Sequence, residues 1–212
     1  LCMGASPSLA AGLRLFQTER KVLAFIGDST LFHAGIPGLI NLLFNQHPVT
    51  LVIMENQTTA MTGHQNHPGT GAHFDGPSPR IDLPELLAGM GIHSVRRVDA
   101  YQQARLTEAV KEALAEDGPS VVIAHHPCML QVMKKKRRDP EYSPRRVRVD
   151  PRKCTLSRDC LNRFGCPSFQ PSPDADSSPT VHRDLCIGDG SCLQVCPAQA
   201  IDRPQAESGE EA

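Results

Sequence analysis

Apolar residues fall along the chain in short runs that alternate with helical patterns, separated by polar loop residues. The first run, VLAFIG after Lys21, stops at Gly-Asp-Ser, as a buried strand does when it ends in a loop. From Gly35 to Gln46 the apolar residues recur at helical spacing, which predicts a helix. The same criteria predict strands over residues 50–56, 93–98 and 119–126, and helices over residues 83–91 and 100–118.

This alternation is typical of an α/β domain in which helices cover the faces of a parallel sheet. In such sheets ligands bind at the carboxyl ends of the strands. Asp28 and Asn56 each follow a buried strand directly, so both are expected at that edge. The long loop over residues 57–80 is rich in Gly, Pro, His and Thr, and a loop of this length in a compact domain is usually functional.

Composition divides the chain into four parts. Residues 1–130 form the predicted α/β domain, and residues 154–203 contain a cluster of cysteines that predicts a small ferredoxin-like α+β domain. Residues 131–153 are strongly basic and are interpreted as a solvated linker, with the steering of an acidic partner as the alternative. The acidic segment 204–212 is predicted to be a disordered tail.

The overall charge and hydrophobicity of the chain argue against a nucleic-acid-binding protein and a membrane protein. There are 22 Lys and Arg against 23 Asp and Glu, and a net charge of -1 gives no reason to expect nucleic acid or an anionic membrane as partner. No apolar run approaches the roughly 18 residues that span a bilayer, and no signal pattern stands at the N-terminus, so we expect a cytoplasmic protein. The first residue is Leu rather than Met, which suggests a fragment or a processed subunit.

Six of the eight cysteines lie between Cys154 and Cys196. Such clustering indicates a disulfide framework in a secreted chain and a metal site in a cytosolic one. Cys-Pro closes two similar runs, at Cys166 and at Cys196, and a disulfide framework has no reason to repeat that arrangement. The metal interpretation is therefore favoured.

The two runs, CTLSRDCLNRFGCP and CIGDGSCLQVCP, have an oxygen residue, Ser157 or Asp189, where a ferredoxin has its second cysteine. In two-cluster ferredoxins the fourth Cys of each run ligates the other cluster. The simplest pairing has Cys154, Ser157, Cys160 and Cys196 at one site and Cys186, Asp189, Cys192 and Cys166 at the other. Each site would hold a 4Fe-4S or a 3Fe-4S cluster, and Asp189 is the better oxygen ligand because it is ionised at neutral pH. A zinc site and the loss of both clusters are the alternatives.

Oxygen ligands at the ends of neighbouring strands suit Mg2+, which shares its coordination with a substrate's phosphates. The Asp28 carboxylate, the Asn56 side-chain oxygen and the main-chain carbonyl of Thr58 can supply one face of the octahedron. Gly27 permits close approach of a diphosphate to the backbone, and the helix expected from Gly35 directs its N-terminus towards the anion. On these residues alone, a turn capped by Asp and Asn is the alternative.

These segments together resemble one family. GDSTLFHAGIPGLINLLFN, VTLVIMENQTTAMTGHQNHPG and the two cysteine runs are similar to the alpha subunit of indolepyruvate ferredoxin oxidoreductase, within the thiamine-diphosphate-dependent 2-oxoacid:ferredoxin oxidoreductases. The resemblance extends from about Leu1 to about Ile201, and TTAMTGHQ is its most specific part. The resemblance implies that Mg2+ and the diphosphate bind at Gly27, Asp28, Ser29, Asn56 and Thr58. It also implies that the loop containing Gly4 contacts the cofactor. The residues beside the thiazolium and the substrate would be Met61, Thr62, Gly63, His64 and Gln65.

The resemblance also implies an activity, the oxidative decarboxylation of arylpyruvates such as indolepyruvate to acyl-CoA, with electrons passing through iron–sulfur clusters to ferredoxin. Coenzyme A, ferredoxin and a beta subunit are the implied partners, and His33 and His64 are the candidate catalytic residues. The family's N-terminal portion, with the pyrimidine-binding domain, is expected to lie outside this chain, which alone should not turn over. Ser157 and Asp189 depart from the family's full cysteine set, so a non-catalytic electron-transfer module and a truncated inactive relic are the alternatives.

Overall fold

The structure, a computed structural model, describes residues 2–17, 19–142 and 145–203. It divides into two compact units, Leu1–Cys128 and Met129–Ala212, and each is described by itself. The segment predicted as an acidic disordered tail, residues 204–212, lies outside the described residues. Among the helices of the described ranges, none is both long and apolar enough to cross a lipid bilayer.

The first unit is an α/β domain, so the predicted class is confirmed. Its elements are α1 (Ser6–Phe16), β1 (Val22–Gly27), α2 (Asp28–Thr30), α3 (Ile36–Phe44), β2 (Val49–Glu55), β3 (Ala72–His73), β4 (Gly76–Pro77), α4 (Leu83–Gly89), β5 (Val95–Asp99), α5 (Gln103–Ala115) and β6 (Ser120–His125). A π-helical turn, Leu31–Gly35, joins α2 to α3, and a 3-10 turn, Ala60–Thr62, lies in the long loop after β2.

Four parallel strands in the order β1-β2-β6-β5 form the sheet of this unit. Gly27 at the end of β1 is paired with Met54 of β2. In this register Asp28 comes level with Glu55, one residue before Asn56. The two predicted metal ligands therefore leave neighbouring strands at the same edge of the sheet.

Both faces of the sheet are covered, because consecutive strand residues point to opposite faces and each face has helices packed on it. On one face, Leu51 and Ile53 of β2 belong to a core shared with α1, α3 and α4. On the other face, Val52 packs with Ala109 and Ala113 of α5. These two cores hold the strand ends, and the loops that follow them, in fixed positions.

Two helical features differ from the expectation. The hydrophobic pattern does not predict α1, because the residues that this helix buries are Pro7, Ala10 and Ala11, which give little hydrophobic contrast. The second helix is expected near Gly35, but helical backbone begins at Asp28, immediately after β1. Periodicity detects the strongly apolar α3 and misses the polar turn before it, so it is Asp28, not Gly35, that lies at the helix N-terminus.

The second unit contains the cysteine runs. Its elements are α6 (Met129–Lys136), β7 (Arg148–Val149), α7 (Asp159–Asn162), β8 (Phe169–Gln170), β9 (Thr180–Val181), a 3-10 turn (Ser191–Gln194) and β10 (Ile201–Asp202). The antiparallel pairs β7–β10 and β8–β9, with short helices, make it a small α+β unit, as the ferredoxin-like pattern predicts. Its core combines Val147, Phe169 and Ile201 with Cys186 and Cys192, so cysteines supply part of the buried surface.

The basic segment over residues 131–153 is part of the second unit, which corrects its interpretation as a linker. Met133 of α6 is buried, and Val147 lies in the cysteine-containing core. β7 in the same segment pairs with β10. Composition alone predicts a linker here because the few apolar residues that pack into the core are separated by many charged ones.

Ile53 offers a direct test of the sheet core. It is fully buried in the central strand β2, and Ile53→Ala should lower the free energy of unfolding by roughly 2–5 kcal/mol, the cost of truncating a core aliphatic side chain. Ile40→Ala, at a position that is half exposed on α3, should cost well under 1 kcal/mol. Urea denaturation followed by circular dichroism measures both, and equal losses would contradict the assigned core.

Candidate functional site

Asp28 is a buried carboxylate at the point where β1 passes into α2, with 2% of its surface exposed. Its Oδ1 accepts a hydrogen bond from the Ser29 main-chain nitrogen at 2.7 Å, and its Oδ2 accepts one from the Gln57 main-chain nitrogen at 2.8 Å. A carboxylate offers about four lone pairs, so the group retains capacity for a metal ion. The two bonds also join the end of β1 to the loop after β2 and fix the orientation of the carboxylate.

Asn56 and Thr58 form a turn directly after β2. The Asn56 Oδ1 accepts a hydrogen bond from the Thr58 main-chain nitrogen at 3.0 Å. The hydroxyl oxygens of Ser29 and Thr59 lie 2.7 Å apart and share a hydrogen bond, which connects this turn to the first helical turn. The structure thus brings Asp28, Ser29, Asn56 and Thr58 together at the carboxyl edge of the sheet.

The two glycines of the predicted site have different roles. A Cβ placed on Gly27 would meet only the Thr30 Oγ1, at 4.0 Å, so the space in front of the helix N-terminus is open. Gly4 has a φ of +85°, and a Cβ there would lie 2.6 Å from the Ala34 Cβ. Glycine is therefore required at residue 4 by contact with the π-helical turn, whereas at residue 27 it leaves room that an anion can occupy.

His67 contacts the Asp28 carboxylate. Its side chain is 2% exposed, and its Nε2 lies 3.3 Å from the Asp28 Oδ2. The His67 Nδ1 accepts a hydrogen bond from the Gly69 main-chain nitrogen at 3.2 Å, which leaves the proton of the neutral ring on Nε2, facing the carboxylate. Burial lowers the pKa of His67, against the opposing effect of Asp28, so the ring is neutral at pH 7. The sequence gives no signal for this contact, because a histidine in an irregular loop has no characteristic spacing.

A second buried carboxylate, Glu55, lies level with Asp28 on β2 and already has its counter-charges. The counter-charges are Arg97, whose Nη2 is 2.9 Å from the Glu55 Oε2, and Arg80, whose Nη2 is 3.4 Å from its Oε1. The His125 Nδ1 also lies 2.9 Å from the Oε2. Within the described residues, Asp28 has no Lys or Arg partner. Because a buried carboxylate is costly without a counter-charge, Asp28 is the one of the two that a divalent cation would stabilise.

The TTAMTGHQ segment folds into a tight turn closed by main-chain hydrogen bonds. Thr59 donates from its main-chain nitrogen to the carbonyl of Gln65 at 2.9 Å, and His64 donates to the carbonyl of Thr59 at 2.9 Å. Met61 and Thr62 are exposed at the tip of the turn, Met61 to 85%. They are thus free to contact a ligand held at the strand ends.

His33 and His64 line one cavity of about 640 Å³. His33 comes from the π-helical turn, a feature that often marks functional sites, and the His64 Nδ1 is buried without a hydrogen-bond partner among the described residues. His67, Phe74 and Ile81 line the same cavity. A cavity lined by both imidazoles and apolar side chains suits an organic acid whose carbon skeleton is hydrophobic.

The cysteines of the second unit fall into two groups of neighbours. Burial raises the pKa of the Cys160 thiol, and the nearby Cys154 and Cys196 add to that effect. Burial raises the pKa of the Cys192 thiol to about 12, with further contributions from Asp189, Cys186 and Cys166. The second cysteine of each run, Cys160 or Cys192, is therefore near the last cysteine of the other run. All eight cysteines of the chain are free thiols.

The two oxygen residues of these runs differ in position. Asp189 acts on the buried Cys192 thiol, and its carboxylate accepts hydrogen bonds from the main-chain nitrogen and the hydroxyl of Ser191 at 3.3 and 3.1 Å. Ser157 is exposed, and it is not among the groups that act on Cys160. Only the Asp189 position adds a charged oxygen to its group of cysteines.

Both sites have a donor chemistry that suits the expected groups. For Mg2+, the hard oxygens of Asp28 and Asn56 match the ligands that this ion prefers. For iron–sulfur clusters, each thiolate binds a different iron, so the ligands lie farther apart than those of a single ion. No three His, Cys, Asp or Glu side chains in the described ranges are placed to hold one metal ion.

Comparison with known families matches both units. The model of the thiamine pyrophosphate enzymes, C-terminal TPP binding domain, covers residues 1–124. The model of the 4Fe-4S binding domain covers residues 179–202, which include Cys186, Asp189, Cys192 and Cys196. Thiamine pyrophosphate is the same compound as thiamine diphosphate.

Similar full-length proteins extend the match over nearly the whole chain. The indolepyruvate oxidoreductase subunit IorA of Archaeoglobus fulgidus is 38% identical over 202 residues, 95% of this chain and 31% of that protein. The subunit of the same name from Pyrococcus horikoshii is 37% identical over 216 residues, 96% of this chain and 33% of that protein. The resemblance expected from the motifs is confirmed, and the chain spans about a third of the length of these curated relatives.

One solved structure shares the fold. A chain of the 2-oxoglutarate:ferredoxin oxidoreductase from Magnetococcus marinus superposes with a TM-score of 0.55 at 20% identity, over 59% of this chain and 46% of that chain. At this identity the match bears on the fold alone.

His67→Phe tests the contact with Asp28. The variant keeps an aromatic ring against Phe32, whose centroid lies 5.6 Å from that of His67, and removes the N–H that faces the carboxylate. Removing a group that orients a metal ligand typically weakens metal binding by roughly 10- to 100-fold, so we expect a loss of that size in Mn2+ affinity by titration calorimetry. His93→Phe, at an exposed position of the same unit, is the control, and equal affinities of the two variants would refute the orienting role.

Proposed function

This chain belongs to the thiamine pyrophosphate enzymes, whose C-terminal TPP binding domain it carries, and from that premise we propose that it is the diphosphate-binding and electron-relay part of a 2-oxoacid:ferredoxin oxidoreductase. The observation that carries the proposal is the uncompensated carboxylate of Asp28, buried beside Asn56 at the ends of two neighbouring parallel strands. A 4Fe-4S binding domain in the same chain supports the redox half of the proposal.

Under this proposal, each candidate site residue of the first unit has a defined role. Asp28, Asn56 and the carbonyl of Thr58 hold Mg2+, and Ser29, in the first turn of the helix, lies beside the diphosphate, where main-chain N–H groups favour an anion. His67, buried with its Nε2 3.3 Å from the Asp28 Oδ2, packs against this carboxylate and orients it. When bound, thiamine diphosphate supplies the electron sink that decarboxylation of a 2-oxoacid requires.

We assign the substrate to the cavity lined by His33 and His64. The imidazole N–H groups can hydrogen-bond the carboxylate or the keto oxygen of a 2-oxoacid, and the apolar side chains of Phe74 and Ile81, which line the same cavity, would contact its side chain. A 2-oxoacid with an aromatic side chain would suit this combination of polar and apolar lining. The relatives named for indolepyruvate support arylpyruvates as the substrate class.

The full reaction under this proposal converts a 2-oxoacid anion and coenzyme A to an acyl-CoA, CO2 and one proton, with two electrons passed singly to two molecules of oxidised ferredoxin. The two groups of cysteines would hold the iron–sulfur clusters that carry those electrons, because clusters of this kind transfer one electron at a time. The pyrimidine-binding domain and a beta subunit would come from outside residues 1–212, since the relatives are about three times as long.

Cofactor binding tests the first half of the proposal. A ligand at 100 times its Kd stabilises the folded state by about 2.7 kcal/mol, so saturating thiamine diphosphate with Mg2+ should raise the Tm of the first unit by roughly 5–10 °C. Asp28→Asn should abolish the shift because it removes the metal-binding charge. Asp75→Asn, at an exposed position in the long loop, should keep it. Equal shifts in the unchanged chain and in Asp28→Asn, measured by calorimetry, would contradict the proposal, because the diphosphate and its metal ion would then not bind at Asp28.

Iron content tests the second half. After anaerobic reconstitution, the chain should contain iron and sulfide and show the EPR signals of three-iron or four-iron clusters. Cys192→Ala should remove about half of the iron, because Cys192 belongs to one of two groups. Asp189→Cys should convert a three-iron signal to a four-iron one by supplying a softer ligand. A folded chain without iron would rule out the electron relay.

A further inference from the structure

The two units carry charges of opposite sign. Residues 129–203 contain fourteen Lys and Arg against nine Asp and Glu, whereas residues 1–128 contain eight against eleven. The near-zero net charge of the chain conceals this separation. The excess of five positive charges over residues 129–203 attracts anionic partners over distances of about a Debye length, ~8–10 Å at physiological salt.

The positive charges of the second unit converge on a cleft of about 1180 Å³. Six cationic side chains line it, namely Lys136, Arg145, Arg146, Arg148, Arg183 and Arg203, and only Asp139, Glu141 and Asp189 oppose them. A surface that served packing alone would be expected to pair these charges more evenly.

Several of the cations have no internal partner. Arg145 and Arg183 are exposed, and neither forms an ion pair with another described residue. The Nε of Arg146 is buried without an acceptor among the described residues. By contrast, Arg148 is paired with Asp202 at 2.8 Å and has a structural role in joining β7 to β10. The cleft therefore keeps unsatisfied positive charge, which an external anionic group can neutralise.

One wall of the cleft is the cysteine loop itself. The Gly188 carbonyl accepts a hydrogen bond from Arg203 Nη2 at 2.9 Å, and a Cβ on Gly188 would lie 2.8 Å from the carbonyl oxygen of Arg145. Asp189 lines the cleft directly and neighbours Cys192. A protein seated in the cleft would thus rest against the loop that carries Cys186, Asp189 and Cys192.

From this juxtaposition we infer that the cleft is the docking surface for an acidic one-electron carrier protein. The inference rests on the proposed function, because it needs a cluster held by the cysteine loop. On docking, one electron leaves the reduced cluster and one acidic carrier is reduced; no atom is transferred and no bond is made or broken. Arg145 and Arg183 supply the complementary charge, and electron transfer takes place across the Gly188–Asp189 wall.

The test uses the full chain, reconstituted, reduced and freed of reductant under anaerobic conditions. Stopped-flow mixing with an acidic plant-type [2Fe-2S] ferredoxin gives the rate of electron transfer, and mixing with cytochrome c, a basic acceptor, gives a comparison. In Arg145→Glu/Arg183→Glu the rate with ferredoxin at low salt should fall about tenfold or more and lose most of its salt dependence. The rate with cytochrome c should not fall.

Lys134→Glu/Lys135→Glu is the matched control, because it makes the same change of charge at exposed positions of α6 that do not line the cleft. Equal iron content and equal Tm in all three proteins exclude damage to the fold. Equal ferredoxin rates in the two double variants would overturn the inference, since net charge alone would then explain the effect.

Two further outcomes separate the possible failures. If the unchanged chain holds no cluster, the proposed function fails before docking is tested. The second outcome applies to a chain that holds reducible clusters. Truncation after Arg203 would raise the ferredoxin rate several-fold, and Arg145→Glu/Arg183→Glu in the truncated chain would have no effect on that rate. The cleft would then bind the chain's own residues 204–212, which contain three Glu, and the docking inference would be wrong.

Discussion

The parallel pairing of β1 with β2 is the constraint on which the candidate site depends. It brings Gly27 opposite Met54, so the first residue of the helical backbone and the first residues of the loop after β2 meet at one edge. The hydrogen bond from Gln57 to the Asp28 carboxylate then fixes the two segments to each other. A slip of one residue would turn the buried side chains of β2 to the other face and separate Asp28 from Asn56, so the packing of the core and the geometry of the site are set by the same register.

The two buried carboxylates at this edge, Glu55 and Asp28, differ in whether other side chains neutralise their charge. Glu55 is surrounded by Arg97, His125 and Arg80, and it joins the central strand to its neighbour and to the end of the long loop. Among the described residues, Asp28 accepts hydrogen bonds from the main-chain nitrogens of Ser29 and Gln57 and contacts His67. Under the proposed function, the ligand that compensates its charge is the metal ion bound with the cofactor.

The second unit depends on its cysteines for packing as well as for chemistry. Cys186 and Cys192 lie in its core, and burial keeps the Cys192 thiol protonated, with a pKa of about 12. Binding of a cluster requires the thiolate, so metal binding and proton release are coupled to the stability of this unit. Gly188 and Asp189 of the same loop line the basic cleft, so under the docking inference the short segment from Cys186 to Cys192 connects ligand binding with partner recognition.

The sequence by itself determined the α/β class, the ferredoxin-like unit and the residue types of both candidate sites, because each rests on local spacing: apolar runs that end in Gly-Asp-Ser, an Asn after the next strand, and repeated Cys-Pro runs. It could not determine α1, whose buried face is made of small residues, or the start of the second helix at Asp28. The contact of His67 with Asp28, the counter-charges of Glu55 and the packing of residues 131–153 into the second unit were also beyond it. These join residues far apart in the chain, and their positions follow only from the order and register of the strands, which tertiary packing decides.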